Sequence, residues 1–380
     1  MKSKVFPLMK QIKVMSVFGT RPEAVKMCPL VRVLDADPRI DSVVCLTGQH
    51  REMLEQVMNS FGIRADIDLH LMKPAQTLTS VTADVLSGVT AVLQEVKPQL
   101  VLVHGDTTTS MAAALAAFYC KIPVGHVEAG LRTYDRYSPF PEEMNRRLTG
   151  QLASVHFAPT ELSREHLNRE NITEHIYVTG NTALDAFRYT IRQNYHFEDP
   201  VLSALRFEGK RTILLTAHRR ENIGAGIEGI CRAAIRITEA FPDVQIVYPV
   251  HLNPAVRNTV FPLLQNRERI CLTDPVSLTD MHNLLAYTCL CMTDSGGLQE
   301  EAPHMHVPVL CLRTETERPE AVEAGTVRLA GIEPQKIFKE ASRLLTDPAA
   351  YRAMAEATNP YGDGHASERI AEAICREFGL

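Results

Sequence analysis

The chain has no apolar stretch approaching the roughly 20 residues that a membrane-spanning helix needs. It also has no excess of basic residues: Lys and Arg number 40 against 45 Asp and Glu, a net charge of −5. That balance excludes a general attraction to nucleic acid or anionic lipid and leaves only local basic sites. The first segment carries Lys2, Lys4, Pro7 and Lys10 spread through it, so it lacks the unbroken apolar core of a signal peptide and a cytoplasmic chain is expected. The nine cysteines include no C-x-x-C. Cys28, Cys45, Cys231, Cys271 and Cys311 sit among Val, Ile, Leu and Met, where a thiol behaves as a small hydrophobe. The pair Cys289 and Cys291 is not a metal site by itself, and His304-Met305-His306 has no third ligand at suitable spacing. Neither a disulfide scaffold nor a bound metal is expected.

What is present is a soluble-type composition, 45% hydrophobic and 22% charged over 380 residues, a length that predicts two or three domains. The pattern is strand, loop, helix, repeated. Strands are predicted at Lys13–Phe18, Val43–Thr47, Leu100–Val103 and Val124–Val127. Between them, apolar residues at three- and four-residue steps (Ala24, Met27, Cys28, Val31, Leu34) and the alanine-rich Met111–Phe118 read as helices. The rhythm restarts at Thr212–Thr216 and continues through Val244–Val250, Ile270–Thr273, Cys289–Thr293 and Val307–Leu312. The segment Tyr189–Lys210 is polar and weakly patterned, and reads as a connector. The expected fold is α/β, two doubly wound Rossmann-like domains facing across a cleft, with residues 1–188 and 189–365 as the domains and a terminal helix at 366–380 packing back on the first.

Polar residues concentrate after strand ends, where such sheets place function. Gly19-Thr20-Arg21-Pro22 with Lys26 one turn into the helix is a positive helix N-terminus suited to phosphate, unless Arg21 merely pairs with Glu23. His104-Gly105-Asp106 and Gly125-His126-Val127-Glu128 each put a carboxylate at or just past a strand end. Asp106 competes with a plain helix-capping role. Glu128, between Val127 and Ala129, is expected to have its pKa raised by burial into a useful range. In Ser138-Pro139-Phe140-Pro141-Glu142, Pro141 suits a first helical position, which places Glu142 in the first turn. His218-Arg219-Arg220 suits a doubly charged phosphate, with His218 as a proton source. Asp294-Ser295-Gly296-Gly297 lets backbone N–H groups approach an anion, and Glu301 is placed to accept from sugar hydroxyls. Thr316-Glu317-Arg318-Pro319 repeats the arginine-then-proline arrangement. Gly224-Ala225-Gly226-Ile227-Glu228-Gly229 matches G-x-G-x-x-G, but it follows its strand only after a long loop and lacks the acidic residue a dinucleotide fingerprint expects. No nicotinamide or other cofactor is predicted.

Eight of these segments, FGTRPEAVK, HGDTTT, GHVEAGLRT, SPFPEEMNRR, AHRREN, YPVHLNP, DSGGLQEEAP and TERPEAV, resemble in this order the bacterial non-hydrolysing UDP-N-acetylglucosamine 2-epimerases. The resemblance covers essentially the whole chain. It implies a glycosyltransferase-B-type fold, a homodimer, and interconversion of UDP-GlcNAc with UDP-ManNAc through loss and re-addition of UDP. It assigns Asp106, Glu128, Glu142 and His218 to the chemistry. Arg21, Lys26, Asp106, Glu128, His218, Ser295, Gly296, Gly297, Glu301 and Arg318 match positions that contact the UDP-sugar. Gln49, Glu142, Arg219 and His251 match a second, activating UDP-GlcNAc site. At that second site Glu52 and Asp84 stand where relatives often have Gln and Arg, which removes a charge-assisted contact. The resemblance leaves two alternatives, a hydrolysing epimerase releasing ManNAc and a glycosyltransferase of the same fold.

Overall fold

The computed structural model describes residues 11–48, 51–71 and 76–380, with backbone only at 51–53. The chain divides into two compact units, Met1–Tyr189 with Tyr361–Leu380, and Thr190–Pro360. Each is built on one parallel sheet.

In the first unit the strands are β1 (Ile12–Phe18), β2 (Ile40–Leu46), β3 (Ile67–Asp68), β4 (Leu100–His104), β5 (Val124–Val127), β6 (Val155–Ala158) and β7 (Ile176–Val178). They pair in the order β3-β2-β1-β4-β5-β6-β7, all parallel. Central strands of such a sheet are covered on both faces, which is why β1 and β4 read as continuous apolar runs. Met15, Val17, Val101 and Val103 are buried against the alanine face of helix Thr108–Tyr119 and against Val85, Val89 and Leu93 of helix Leu78–Val96. Gly125 is needed in β5, because a Cβ there would lie 2.7 Å from a Leu102 methyl carbon. The last helix, Ala366–Glu377, belongs to this unit and packs on helix Arg21–Ala36. Its first turn is capped from a distance: buried Asp185 accepts from the Ala366 and Ser367 N–H groups at 3.0 and 2.8 Å.

In the second unit the strands are β8 (Arg211–Thr216), β9 (Val244–Pro249), β10 (Ile270–Thr273), β11 (Thr288–Thr293), β12 (Val309–Cys311) and β13 (Val327–Leu329), in the order β10-β9-β8-β11-β12-β13. The two sheets therefore share one winding pattern. Ile213, Leu215, Ile246 and Met292 form its core with Ile227, Ile230 and Ile237 of helix Ala225–Ala240. The polar segment that opens this unit is fastened to it. Asp280 accepts from the Tyr195 hydroxyl and from the Glu198 and Asp199 N–H groups, all within 2.8–2.9 Å. Among the described residues no helix is long and apolar enough to cross a membrane.

Each sheet changes direction at one place, between β1 and β4 in the first and between β8 and β11 in the second. Such switch points leave a crevice beyond the carboxyl ends of the strands, where ligands of doubly wound folds bind. Gly19-Thr20-Arg21 and Gly105-Asp106 follow β1 and β4; His218-Arg219 and Asp294-Ser295-Gly296 follow β8 and β11.

Candidate active site

In the first unit, Glu128 stands just beyond β5 with φ +60°, a left-handed conformation uncommon for a side chain of this size and concentrated at functional sites. Its carboxylate is nearly enclosed. The Lys26 Nζ and Glu128 Oε2 form an ion pair, Asn181 Nδ2 donates to the same oxygen at 3.1 Å, and His104 Nε2 lies 3.6 Å from it. Burial alone would raise this carboxyl, as expected from the sequence. The Lys26 charge and His104 outweigh burial and hold it well below the ordinary range. The sequence expectation is thus corrected in sign. Glu128 is an ionised carboxylate, kept so by a cation from the loop after β1.

Lys26, matched in sequence to the nucleotide, is engaged with Glu128. The other basic residue of its loop is placed differently. Arg21 opens the helix half-buried and without an ion-pair partner among the described residues, and burial lowers its pKa. The Arg21–Glu23 pair considered from the sequence does not form. Glu23 closes a capping box with Thr20, accepts from the Gly19 and Thr20 N–H groups at 3.0 and 2.7 Å, and takes the Thr107 and Ser110 hydroxyls as well.

Asp106 is not the cap of the helix that follows it; Thr107 is. Asp106 Oδ2 instead pairs with Arg146 Nη2, and its carbonyl accepts from Asn145 Nδ2 at 2.9 Å. The next helix begins one residue later than expected: Pro141 is the cap position and Glu142 the first helical residue. Glu142 lies one turn before Arg146, so both project from one face of helix Glu142–Leu152. Its neighbour Glu143 is buried and structural, accepting from the Thr133 and Tyr134 N–H groups at 3.0 and 3.1 Å. The Glu142 carboxylate is half-buried and has no partner among the described residues. Behind the loop, His126 is fully buried with its pKa pushed down to about 3 by that burial, so the neutral ring donates Nε2–H to the Gly105 carbonyl at 2.7 Å.

In the second unit, one oxygen of Asp294 organises the loop after β8. Its Oδ2 accepts from the His218 and Arg219 N–H groups and from Asn222 Nδ2, each at 2.9 Å. The His218 ring stacks on His251 at 5.1 Å. Burial lowers the His218 pKa, Asp294 opposes that, and His251 and Arg219 add to it. Ser295 stands at the cap position of helix Gly296–Glu301, its hydroxyl making no capping hydrogen bond. A Cβ on Gly296 would sit 3.4 Å from Arg318 Nη2 and 3.7 Å from Arg219 Nη2, so the absent side chain leaves a pocket faced by two guanidinium groups. Arg318 is anchored by buried Glu300, and Glu301 Oε2 lies 3.8 Å from His282 Nε2. Gln49 lies outside the described residues, and of Glu52 only the backbone is described.

The sequence did not single out His104, Asn181, Arg146 and Asp294. Three of them sit in segments already noted, HGD, MNRR and TDSGG, where the neighbouring residue drew the attention. Asn181 had no local signal.

A family model described as UDP-N-acetylglucosamine 2-epimerase matches residues 32–375. The chain belongs to this family. The UDP-N-acetylglucosamine 2-epimerase of Bacillus subtilis is 52% identical over 372 residues, covering 98% of this chain and 97% of that one. The enzyme of the same name from Escherichia coli K12 is 52% identical, over 96% and 98% of the two chains. A crystal structure of UDP-GlcNAc 2-epimerase from Neisseria meningitidis bound to UDP-GlcNAc is 48% identical, with a TM-score of 0.88 over 96% of this chain and 100% of that one. The fold is of the glycosyltransferase-B type, α/β with two Rossmann-like domains.

Proposed function

We propose that the protein interconverts UDP-N-acetylglucosamine and UDP-N-acetylmannosamine without net hydrolysis. A carboxylate removes the proton from C2 of the sugar. The C2–H electron pair forms a C1=C2 double bond, and the C1–O bond breaks with its pair leaving on the β-phosphate of UDP. The remaining sugar is a 2-acetamidoglucal. Return of the phosphate oxygen to C1, with a proton delivered to the opposite face of C2, gives the epimer. A proton barely acidic by itself needs a positioned base, and a departing pyrophosphate needs cations and N–H dipoles.

The observation that carries this reading is Glu128, ionised and pinned by Lys26 and Asn181 at the end of β5. We assign Glu128 and Glu142 to the two faces of C2, and Asp106, held by Arg146, to orienting the sugar. Arg21, Arg318, His218, the Ser295 side chain and the N–H groups of Gly296 and Gly297 serve the nucleotide, with Glu301 at its ribose. Arg219 and His251 are assigned to a second, activating UDP-GlcNAc. The resemblance also supports a homodimer working in the cytoplasm.

Product analysis tests the reaction. Incubation with UDP-GlcNAc alone, followed by NMR, is expected to yield UDP-ManNAc at equilibrium with its epimer. Accumulation of free ManNAc and UDP would establish the hydrolysing reaction instead, and no change in the sugar would remove the activity.

A further inference from the structure

Two donors converge on one oxygen of Glu128, and one of them carries no charge. Asn181 Nδ2 donates to Glu128 Oε2 at 3.1 Å, beside the Lys26 ammonium and His104 Nε2. The other oxygen, Oε1, points toward Gly105, where an added Cβ would lie 3.7 Å away. The two oxygens are thus unequal: Oε2 is held and Oε1 is presented.

Asn181 is itself fixed on every side. It is 3% exposed. Its Oδ1 accepts from the Ala183 N–H at 2.9 Å, which sets the amide orientation so that Nδ2 must be the end facing Glu128. Its own N–H donates to the Tyr361 carbonyl at 2.7 Å, and its carbonyl accepts from the Leu184 N–H at 3.1 Å. Tyr361 is the residue at which the chain returns to the first unit. The returning segment crosses here closely, at two glycines. Gly180 has φ +93° and an added Cβ would lie 3.1 Å from the Tyr361 carbonyl oxygen; Gly362 has φ +113° and its Cβ would lie 3.2 Å from the Gly180 Cα.

We infer that Asn181, clamped between Ala183 and the returning Tyr361-Gly362 segment, is a positioning residue that holds Oε2 of Glu128 and so aims Oε1 at C2 of the substrate. The inference rests on reading Glu128 as the base at C2. A neutral amide suits the task. It fixes the carboxylate without the further loss of basicity that a second full cation would bring.

Asn181→Ala and Asn181→Asp are compared with the wild type for kcat, KM, UDP affinity and deuterium uptake at C2 in D₂O, over about pH 3 to 8. Asn181→Ala is expected to lower kcat roughly 10- to 100-fold with KM and UDP affinity within about threefold, the signature of a misaimed group and not of lost binding. Asn181→Asp keeps the acceptor for Ala183 but sets a like charge beside Glu128, whose paired cation is Lys26. It is expected to move the acid limb of kcat upward by about one pH unit. Wild-type kcat and pH profile in both variants would overturn the inference. So would loss of UDP affinity together with kcat in both, which marks a purely structural role. If the wild type itself exchanges no hydrogen at C2, it is the reading of Glu128 that fails, and the inference falls with it.

Discussion

At the scale of single residues, the chemistry depends on which charge sits beside a buried carboxylate. The GHVEAG segment made Glu128 visible in the sequence, because glutamate after an apolar strand has no ordinary structural use there. Its protonation was not legible. Burial and a cation push in opposite directions, and the cation is 102 residues away along the chain. Replacing Lys26 by Met removes the nearest charge that lowers the pKa, with His104 still opposing the burial that raises it. The acid limb of kcat/KM is therefore expected to move to higher pH in Lys26→Met, by about one unit or more. The sign for stability follows from the same shift. A carboxyl lowered from its ordinary 4.5 stabilises the fold above that pH, and the contribution is lost as pH falls toward its folded value. Acid unfolding of the variant should begin at higher pH than that of the wild type. A pH–rate profile unchanged by Lys26→Met would mean that Lys26 does not hold Glu128 in the working enzyme.

At the scale of elements, most strands were legible in the sequence, but β3, β6, β7 and β13 were not. Val124–Val127 and Ile270–Thr273 fall where the pattern predicted them, and β1, β2, β4, β8, β9, β11 and β12 are each within about three residues of expectation at either end. β6 and β7 have four and three residues, and the buried histidine of β6 donates to the Gly150 carbonyl at 2.9 Å. The G-x-G-x-x-G match is explained by packing. Gly224 caps helix Ala225–Ala240 at φ +89°, and a Cβ on Gly229 would lie 2.5 Å from the Ile332 carbonyl oxygen. Gly130, two residues after Glu128, is bound more tightly still: it has φ +92°, and a Cβ there would lie 2.2 Å from the Ser163 carbonyl oxygen. Gly130→Ala combines an unfavourable left-handed backbone with an overpacked contact, and is expected to cost about 3 kcal/mol in urea unfolding. A loss under about 1 kcal/mol would show that the loop after β5 yields easily, contrary to the rigid placement of Glu128 argued above.

At the scale of the molecule, two sheets with one winding order carry different cargoes at equivalent places. The first has carboxylates and the cations that steady them after β1, β4 and β5; the second has guanidinium groups, stacked histidines and glycine-exposed N–H groups after β8, β9 and β11. The strand rhythm made both sheets readable from the sequence, since buried parallel strands are apolar throughout. Pairing across that distance, such as Asp106 with Arg146 or Asn181 with Glu128, is set by topology and had no local sign. The division of labour supports one proposal: proton transfer at one face of C2 belongs to Glu128, whereas nucleotide binding does not depend on it. The direct measurement is deuterium uptake at C2 of UDP-GlcNAc in D₂O by the wild type and by Glu128→Gln, with UDP affinity determined on the same samples. Deuterium in both epimers for the wild type, and a loss of at least about a hundredfold in its rate of entry with UDP affinity retained for the variant, is the predicted result. Wild-type exchange in Glu128→Gln would contradict the account.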